Sequence, residues 1–219
     1  MNDSRIKNKW PIAKEGLPFV LIGCGVILFL FVVGWLIPAF LLCLVTLFVL
    51  FFFRDPERTC EPGEKSVLTP ADGRVLEVRQ ITEEENPLGR PALKISIFMS
   101  LFNVHVNRMP VRGTVTEIIY TPGKFFSADL DKASRYNENN RVFLETVDSK
   151  KLLIVQIAGL VARRIACWIK EGDQVDKGQR FGLIRFGSRL EVFLPPDSRA
   201  AVQKGDKVKA GLTIIGYLT

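Results

Sequence analysis

The sequence predicts a mostly β protein carried behind an N-terminal helical membrane hairpin. Three observations carry that prediction. An uncharged run from Gly16 to Phe53, 38 residues long, is dense in Phe, Leu, Val and Ile. After it, short apolar runs alternate with turn residues to the end of the chain. A G-D-x-V-x-x-G unit occurs twice in the last third, as Gly172–Gly178 and again 33 positions on as Gly205–Gly211.

Residues 1–15 form a basic N-terminal segment, expected on the cytoplasmic side, with Arg5, Lys7, Lys9 and Lys14 against Asp3 and Glu15. The apolar run 16–53 is too long for a soluble core helix, and no small-residue cleavage site follows it. As one helix it would extend about 57 Å, against a hydrocarbon core of roughly 30 Å. Gly34, Trp35 and Pro38 sit near its middle, so two spans near 17–36 and 39–53 fit better. A tilted or re-entrant hairpin stays open for the shorter second half. Lysines before the run, and Arg54, Arg58 and Lys65 after it, predict that both ends lie in the cytoplasm.

Residues 54–66 read as a polar linker with Pro56 and Pro62, and residues 67–219 as the β domain. Strands are expected at 74–80, 92–99, 113–120, 142–146, 151–157, 166–170, 180–184 and 212–218. A further strand, 185–193, is interrupted by the chain's one Gly-Ser pair, Gly187-Ser188. Ser127–Asn140 is polar, with Ala128, Leu130 and Ala133 near helical spacing, and predicts a short helical insert or an ordered loop. In each G-D-x-V-x-x-G unit, glycine supplies a positive φ, aspartate bonds back to the backbone and valine enters the core. A looser echo sets Pro70-Ala71-Asp72-Gly73-Arg74-Val75 beside Pro110-Val111-Arg112-Gly113-Thr114-Val115. These repeats resemble the lipoyl/biotinyl-like barrel-sandwich fold, a likeness of architecture alone.

Composition narrows the function. The 30 Lys and Arg against 23 Asp and Glu leave a net charge of +7, with the basic residues scattered and Arg163-Arg164 the densest pair. That argues against nucleic acid and suits an anionic membrane surface. Cys24, Cys43, Cys60 and Cys167 have no metal-type spacing and read as buried reduced thiols. His105 is the single histidine, in Phe102-Asn103-Val104-His105-Val106-Asn107-Arg108. Any chemistry needing an imidazole near neutral pH must use it. Asp72 stands in a tight turn, where turn chemistry alone would account for it. With Ser188 the three supply a carboxylate, a base and a hydroxyl, but the order and surroundings fit no G-x-S-x-G elbow. Attack by Ser188 on the preceding, uncrowded Gly187 carbonyl fits better.

Thr69-Pro70-Ala71-Asp72-Gly73, Phe102 to Arg108, the Gly187-Ser188 pair and the apolar N-terminal run together resemble the phosphatidylserine decarboxylase proenzyme family, especially its short bacterial branch. The likeness covers roughly residues 40 to 219. It implies that Ser188 Oγ, deprotonated by His105 with Asp72 orienting the ring, attacks the Gly187 carbonyl. β-Elimination and hydrolysis then cut the chain into 1–187 and 188–219 and leave a pyruvoyl cofactor derived from Ser188, with no metal required. The pyruvoyl carbonyl condenses with the serine amine of phosphatidylserine in the membrane and takes up the electrons released as CO₂ leaves. The two cleavage chains would remain a heterodimer, with further oligomerisation open, at the inner membrane of a bacterium with the catalytic domain facing the cytoplasm. Longer members have Leu-Gly-Ser-Thr where this chain has Phe186-Gly187-Ser188-Arg189, and a second histidine where it has Phe102. Two other readings compete: a non-enzymatic membrane-anchored lipoyl-like adaptor, which leaves Asp72, His105 and Ser188 unexplained, and a pyruvoyl decarboxylase of a soluble amino acid, which makes the apolar run superfluous.

Overall fold

The computed structural model describes residues 6–8, 10–61, 63–84, 86–124, 126, 136–159, 164–185 and 188–219. A 3-10 turn, Lys14–Gly16, leads into helix α1, Leu17–Val32, and α2 follows at Leu36–Phe52. The reversal falls at Gly34, whose φ of +84° suits a residue without a Cβ. Pro38 lies in the first turn of α2, where its missing N–H costs no hydrogen bond. The helices pack antiparallel, and Gly23 lets them meet closely: a Cβ there would stand 2.5 Å from Thr46 Oγ1. Lys14–Val32, with mean hydropathy 2.3, is long and apolar enough to cross a membrane; α2 is shorter, and both present exposed Leu, Ile, Val and Phe side chains.

The remainder is mostly β. Among the described residues one antiparallel sheet of eight strands curls into a half-barrel, in the order β13-β2-β3-β11-β7-β6-β5-β9. These strands are β2 (Gly73–Ile81), β3 (Ala92–Met99), β5 (Gly113–Thr121), β6 (Asn139–Glu145), β7 (Lys151–Ala158), β9 (Gln174–Val175), β11 (Ser188–Leu194) and β13 (Lys207–Val208). Two three-stranded sheets complete the fold: β1 (Ser66–Leu68) and β12 (Arg199–Ala200) flank β14 (Ile214–Tyr217), while β4 (Val106–Arg108) and β8 (Ile165–Cys167) flank β10 (Arg180–Ile184). Alternate residues such as Ile95, Ile97, Leu152, Ile154, Leu190 and Val192 fill the main core.

The internal repeat organises both ends of the large sheet. Val208 pairs with Gly73 and Val175 with Gly113, so each G-D-x-V unit lies against one copy of the looser echo. Main-chain bonds repeat too: Val75 N donates to Asp206 O and Val115 N to Asp173 O, both at 2.9 Å. Asp173 accepts from Lys170 N and Asp206 from Gln203 N, as turn aspartates do. Gly73 and Gly113 are required by close approach: a Cβ would stand 2.0 Å from Phe98 O in one case and 2.5 Å from Glu145 O in the other.

Several expectations need correction. Residues 127–135 of the expected helical insert lie outside the described residues, and Asn139 and Asn140, assigned to it, open β6 instead. They do so because they register against Ile157 and Gln156 of β7. The strand expected at 166–170 ends at Cys167, since Lys170 N is drawn into the Asp173 turn. The strand expected at 185–193 begins only at Ser188; Phe186 and Gly187 lie outside the described residues. All four cysteines are free, but Cys24 and Cys60 are exposed rather than buried, because they fall on the outer face of α1 and on the surface of the segment after α2.

That segment is no slack tether. Asp55 is 1 % exposed and forms an ion pair with Arg180 at 2.8 Å, while Asn8 donates to it at 3.1 Å. Arg108 donates to Pro56 O. Beside this, Ala13, Phe52 and Phe53 join Val104, Val106, Trp168 and Leu183 in a second apolar cluster that seats the helices on β4 and β10.

Candidate active site

Ser188 opens β11, the strand flanked by β3 and β7 in the middle of the curled sheet, in register with Met99 on one side and Ala158 on the other. The alternation that sends Leu190 and Val192 into the core sends Ser188 the same way, and it is fully buried. Its Oγ is 3.3 Å from Met99 Sδ. The same sulfur accepts from Asn107 Nδ2 at 3.8 Å. Behind it runs a chain of buried amides: Gln156 Nε2 donates to Asn107 Oδ1 at 2.8 Å, and Asn140 Nδ2 to Gln156 Oε1 at 3.0 Å. The hydroxyl thus sits at the end of a satisfied polar chain inside an apolar core, a rigid setting.

His105 immediately precedes β4, and Ile184 N at the end of β10 donates to its carbonyl. Its ring is fully buried. Nδ1 is 3.0 Å from Asn103 O, and since a carbonyl only accepts, Nδ1 carries the proton. Asn103 is itself locked by Ser100, whose N and Oγ both donate to Asn103 Oδ1 at 2.8 Å. Nε2 therefore presents a bare lone pair, and it is buried without a hydrogen-bond partner. Phe52, the last residue of α2, covers the ring at a centroid distance of 4.2 Å. Burial lowers the His105 pKa from 6.5 to about 4; the Asn103 bond opposes that shift, and the charges of Arg54 and Asp72 act in opposite directions. The ring is neutral at pH 7, with its basic nitrogen buried and unbonded.

Asp72 is not hydrogen-bonded to His105. Arg58 grips its carboxylate through both terminal nitrogens, at 2.5 and 2.9 Å, and Ala210 N donates to Oδ1 at 2.7 Å. The carboxylate thus ties the segment after α2 to the second G-D-x-V-x-x-G unit and acts on His105 through space alone. Of the predicted set, His105 precedes β4 and Ser188 opens β11, in different sheets and without a mutual hydrogen bond; Asn107, two residues after His105, and Ser188 both reach Met99 Sδ, while Asp72 is held by Arg58. Gly187 lies outside the described residues. Phe102 is 69 % exposed and packs edge-on against Phe48 of α2, so that position faces the helices.

Phe52, Arg58, Met99, Asn103, Asn107 and Gln156 were not identified from sequence. Asn103 and Asn107 stand in the same stretch as His105 and were within reach of it. Phe52 is lost among apolar neighbours, and nothing near Gln156 marks it.

Residues 45–216 match the family described as phosphatidylserine decarboxylase. A phosphatidylserine decarboxylase proenzyme of Syntrophus aciditrophicus is 50 % identical over 206 residues, covering 94 % of this chain and 96 % of its own. Proteins of the same name from Desulfotalea psychrophila and Ralstonia nicotianae are each 47 % identical, covering 95 % and 97 % of this chain and 97 % and 100 % of their own.

Proposed function

The chain belongs to the phosphatidylserine decarboxylase family, and from that premise we propose that it is a self-processing enzyme which converts phosphatidylserine to phosphatidylethanolamine at a membrane surface. The observation that carries the residue assignment is His105: a neutral, fully buried imidazole with its proton fixed on Nδ1 and Nε2 left without a partner. Such a nitrogen is set to take a proton from Ser188 Oγ. The attacking oxygen forms an ester with the Gly187 acyl group as the Gly187–Ser188 C–N bond breaks. Elimination then returns Gly187 as a carboxylate, and water releases the former serine nitrogen as ammonia.

The buried, rigidly seated position of Ser188 fits a carbonyl-bearing group made in place. A pyruvoyl group there supplies an electron sink for decarboxylation of a primary amine. His105 excludes water with Phe52 and is placed to return a proton to the carbon that loses CO₂. Asp72 supports the site by positioning: its Arg58 bridge fixes the segment that carries Phe52.

The curled sheet with G-D-x-V units at both ends supports a lipoyl-like barrel-sandwich for the catalytic domain. The paired apolar helices, flanked by Lys7, Lys14, Arg54 and Arg58, support a hairpin in a bacterial inner membrane with the domain in the cytoplasm. A reporter fused after Thr219 is expected on the cytoplasmic side; a periplasmic signal overturns the hairpin.

Intact-mass measurement of purified protein tests the central reading. Two chains are expected, 1–187 and 188–219, the shorter lighter by one ammonia than an N-terminal serine would make it. Ser188→Ala should give one uncut, inactive chain, and His105→Ala should slow scission by about 10²–10⁴. Asp72→Asn should do milder damage. An active, uncut wild-type protein overturns the pyruvoyl reading.

A further inference from the structure

Arg185 follows β10 and stands three residues before Ser188, so its Cα lies at most about 11 Å from that of Ser188. Its guanidinium sits 5.7 Å over the ring of Phe19, in the first turn of α1. From there a ladder of rings leads back to the site: Phe19 to Phe53 at 5.9 Å, Phe53 to Phe52 at 5.0 Å, Phe52 to His105 at 4.2 Å. Arg185 therefore stands at the level where the apolar helix begins and is joined to His105 through this series of rings. Its Nε is buried without a hydrogen-bond partner, and among the described residues it forms no ion pair. Arg164 is alongside, its carbonyl accepting from Arg185 N at 3.2 Å. Burial lowers the Arg185 pKa, the like charge of Arg164 lowers it further, and Glu15 opposes both. Glu15 accepts from Trp168 Nε1 at 2.9 Å.

Two arginines joined through their main chains, each within reach of the other's charge and one with a buried, unpaired donor, are an arrangement that an anion completes. Arg54, just after α2, is already spent on the carbonyls of Phe51 and Phe102, each at 2.7 Å. We propose that Arg185, with Arg164 beside it, holds the phosphodiester oxyanion of the lipid whose headgroup reacts at position 188. A planar guanidinium fits two phosphate oxygens, and the Phe19 face keeps it flat. This rests on the decarboxylase reading and adds a specificity site to it: the pocket would select a serine amine that carries a phosphodiester at its mouth.

The phosphodiester could belong to the reacting lipid or to other anionic lipids of the bilayer, and the test separates the two. Arg185→Gln, Arg185→Lys and Arg164→Gln are made in the full chain, and scission is checked on a denaturing gel. CO₂ release from phosphatidylserine is then measured in neutral detergent micelles, where the substrate is the sole phosphodiester, and binding to phosphatidylglycerol vesicles is measured separately. Loss of a charged hydrogen bond should raise KM about 10–100-fold for Arg185→Gln with kcat changed far less. Arg185→Lys should recover part of the loss, and Arg164→Gln should raise KM by a smaller factor. If Arg185→Gln fails to cleave, Arg185→Lys and Arg164→Gln decide by the same measure. An unchanged KM in neutral micelles, whether or not vesicle binding falls, overturns the inference. A wild-type protein that releases no CO₂ overturns the decarboxylase reading instead.

Discussion

His105 combines two properties that pull against each other. A base must be unprotonated, which burial secures by lowering its pKa to about 4, yet burial also weakens it as a proton acceptor. The arrangement favours availability at every physiological pH. Scission should therefore stay nearly flat from pH 8 down to about 5, where an unshifted histidine of pKa near 6.5 would lose roughly tenfold between pH 7.5 and 5.5. Timed gels of freshly refolded precursor at several pH values check this, and a midpoint near 6.5 would show that the ring is solvated. Stability follows the same sign. Between pH 6.5 and 4 the unfolded chain binds the proton that the folded chain refuses, so this contribution is present above 6.5 and lost as pH falls through that window.

At the level of elements, the helices do more than hold the domain near lipid. The end of α2 supplies Phe52 as the cover of the His105 ring, and the next six residues reach Arg180 through Asp55 and Asp72 through Arg58. Phe52→Ala should cost about 3–5 kcal/mol, as large core truncations do. It should also admit water to the ring and move the midpoint of scission upward toward 6.5. Phe52→Leu keeps most of the volume and should lose less stability, while still uncovering part of the ring. Thermal melts of the Ser188→Ala background give the stability, and pH-dependent scission in the Ser188 background gives the second effect. A large loss of stability with the pH profile unmoved would reduce Phe52 to packing alone.

Across the whole molecule, the proposed scissile position would divide the chain but not the fold. Residues 188–219 contribute β11 between β3 and β7, β13 against β2, and β14 between β1 and β12. Nearly every strand of the small fragment is thus paired with the large one or sandwiched by it, and Leu190, Val192 and Leu194 lie in the shared core. Cutting one peptide bond removes none of these contacts. The two cleavage chains are expected to elute together under native conditions and to separate only in denaturant. Separation in mild buffer would mean that the fragment is held far more weakly than its pairing implies.

Local signals settled much of this in advance. The two apolar helices, most of the longer strands and the G-D-x-V turns were legible because each depends on residues near in sequence: hydrophobic period, charge flanks, glycine before aspartate. Asp72, His105 and Ser188 stand out as candidates through the short motifs around them. What tertiary structure alone decided is which groups face which. Asp72 is bonded to Arg58 rather than to the imidazole, Phe52 at the end of α2 covers the histidine ring, and Gln156 and Asn140 back the serine through Asn107 and Met99. The hydrogen-bonded partners among them lie 14 to 49 residues apart along the chain, and their meeting follows from sheet register and helix docking, which no local pattern encodes.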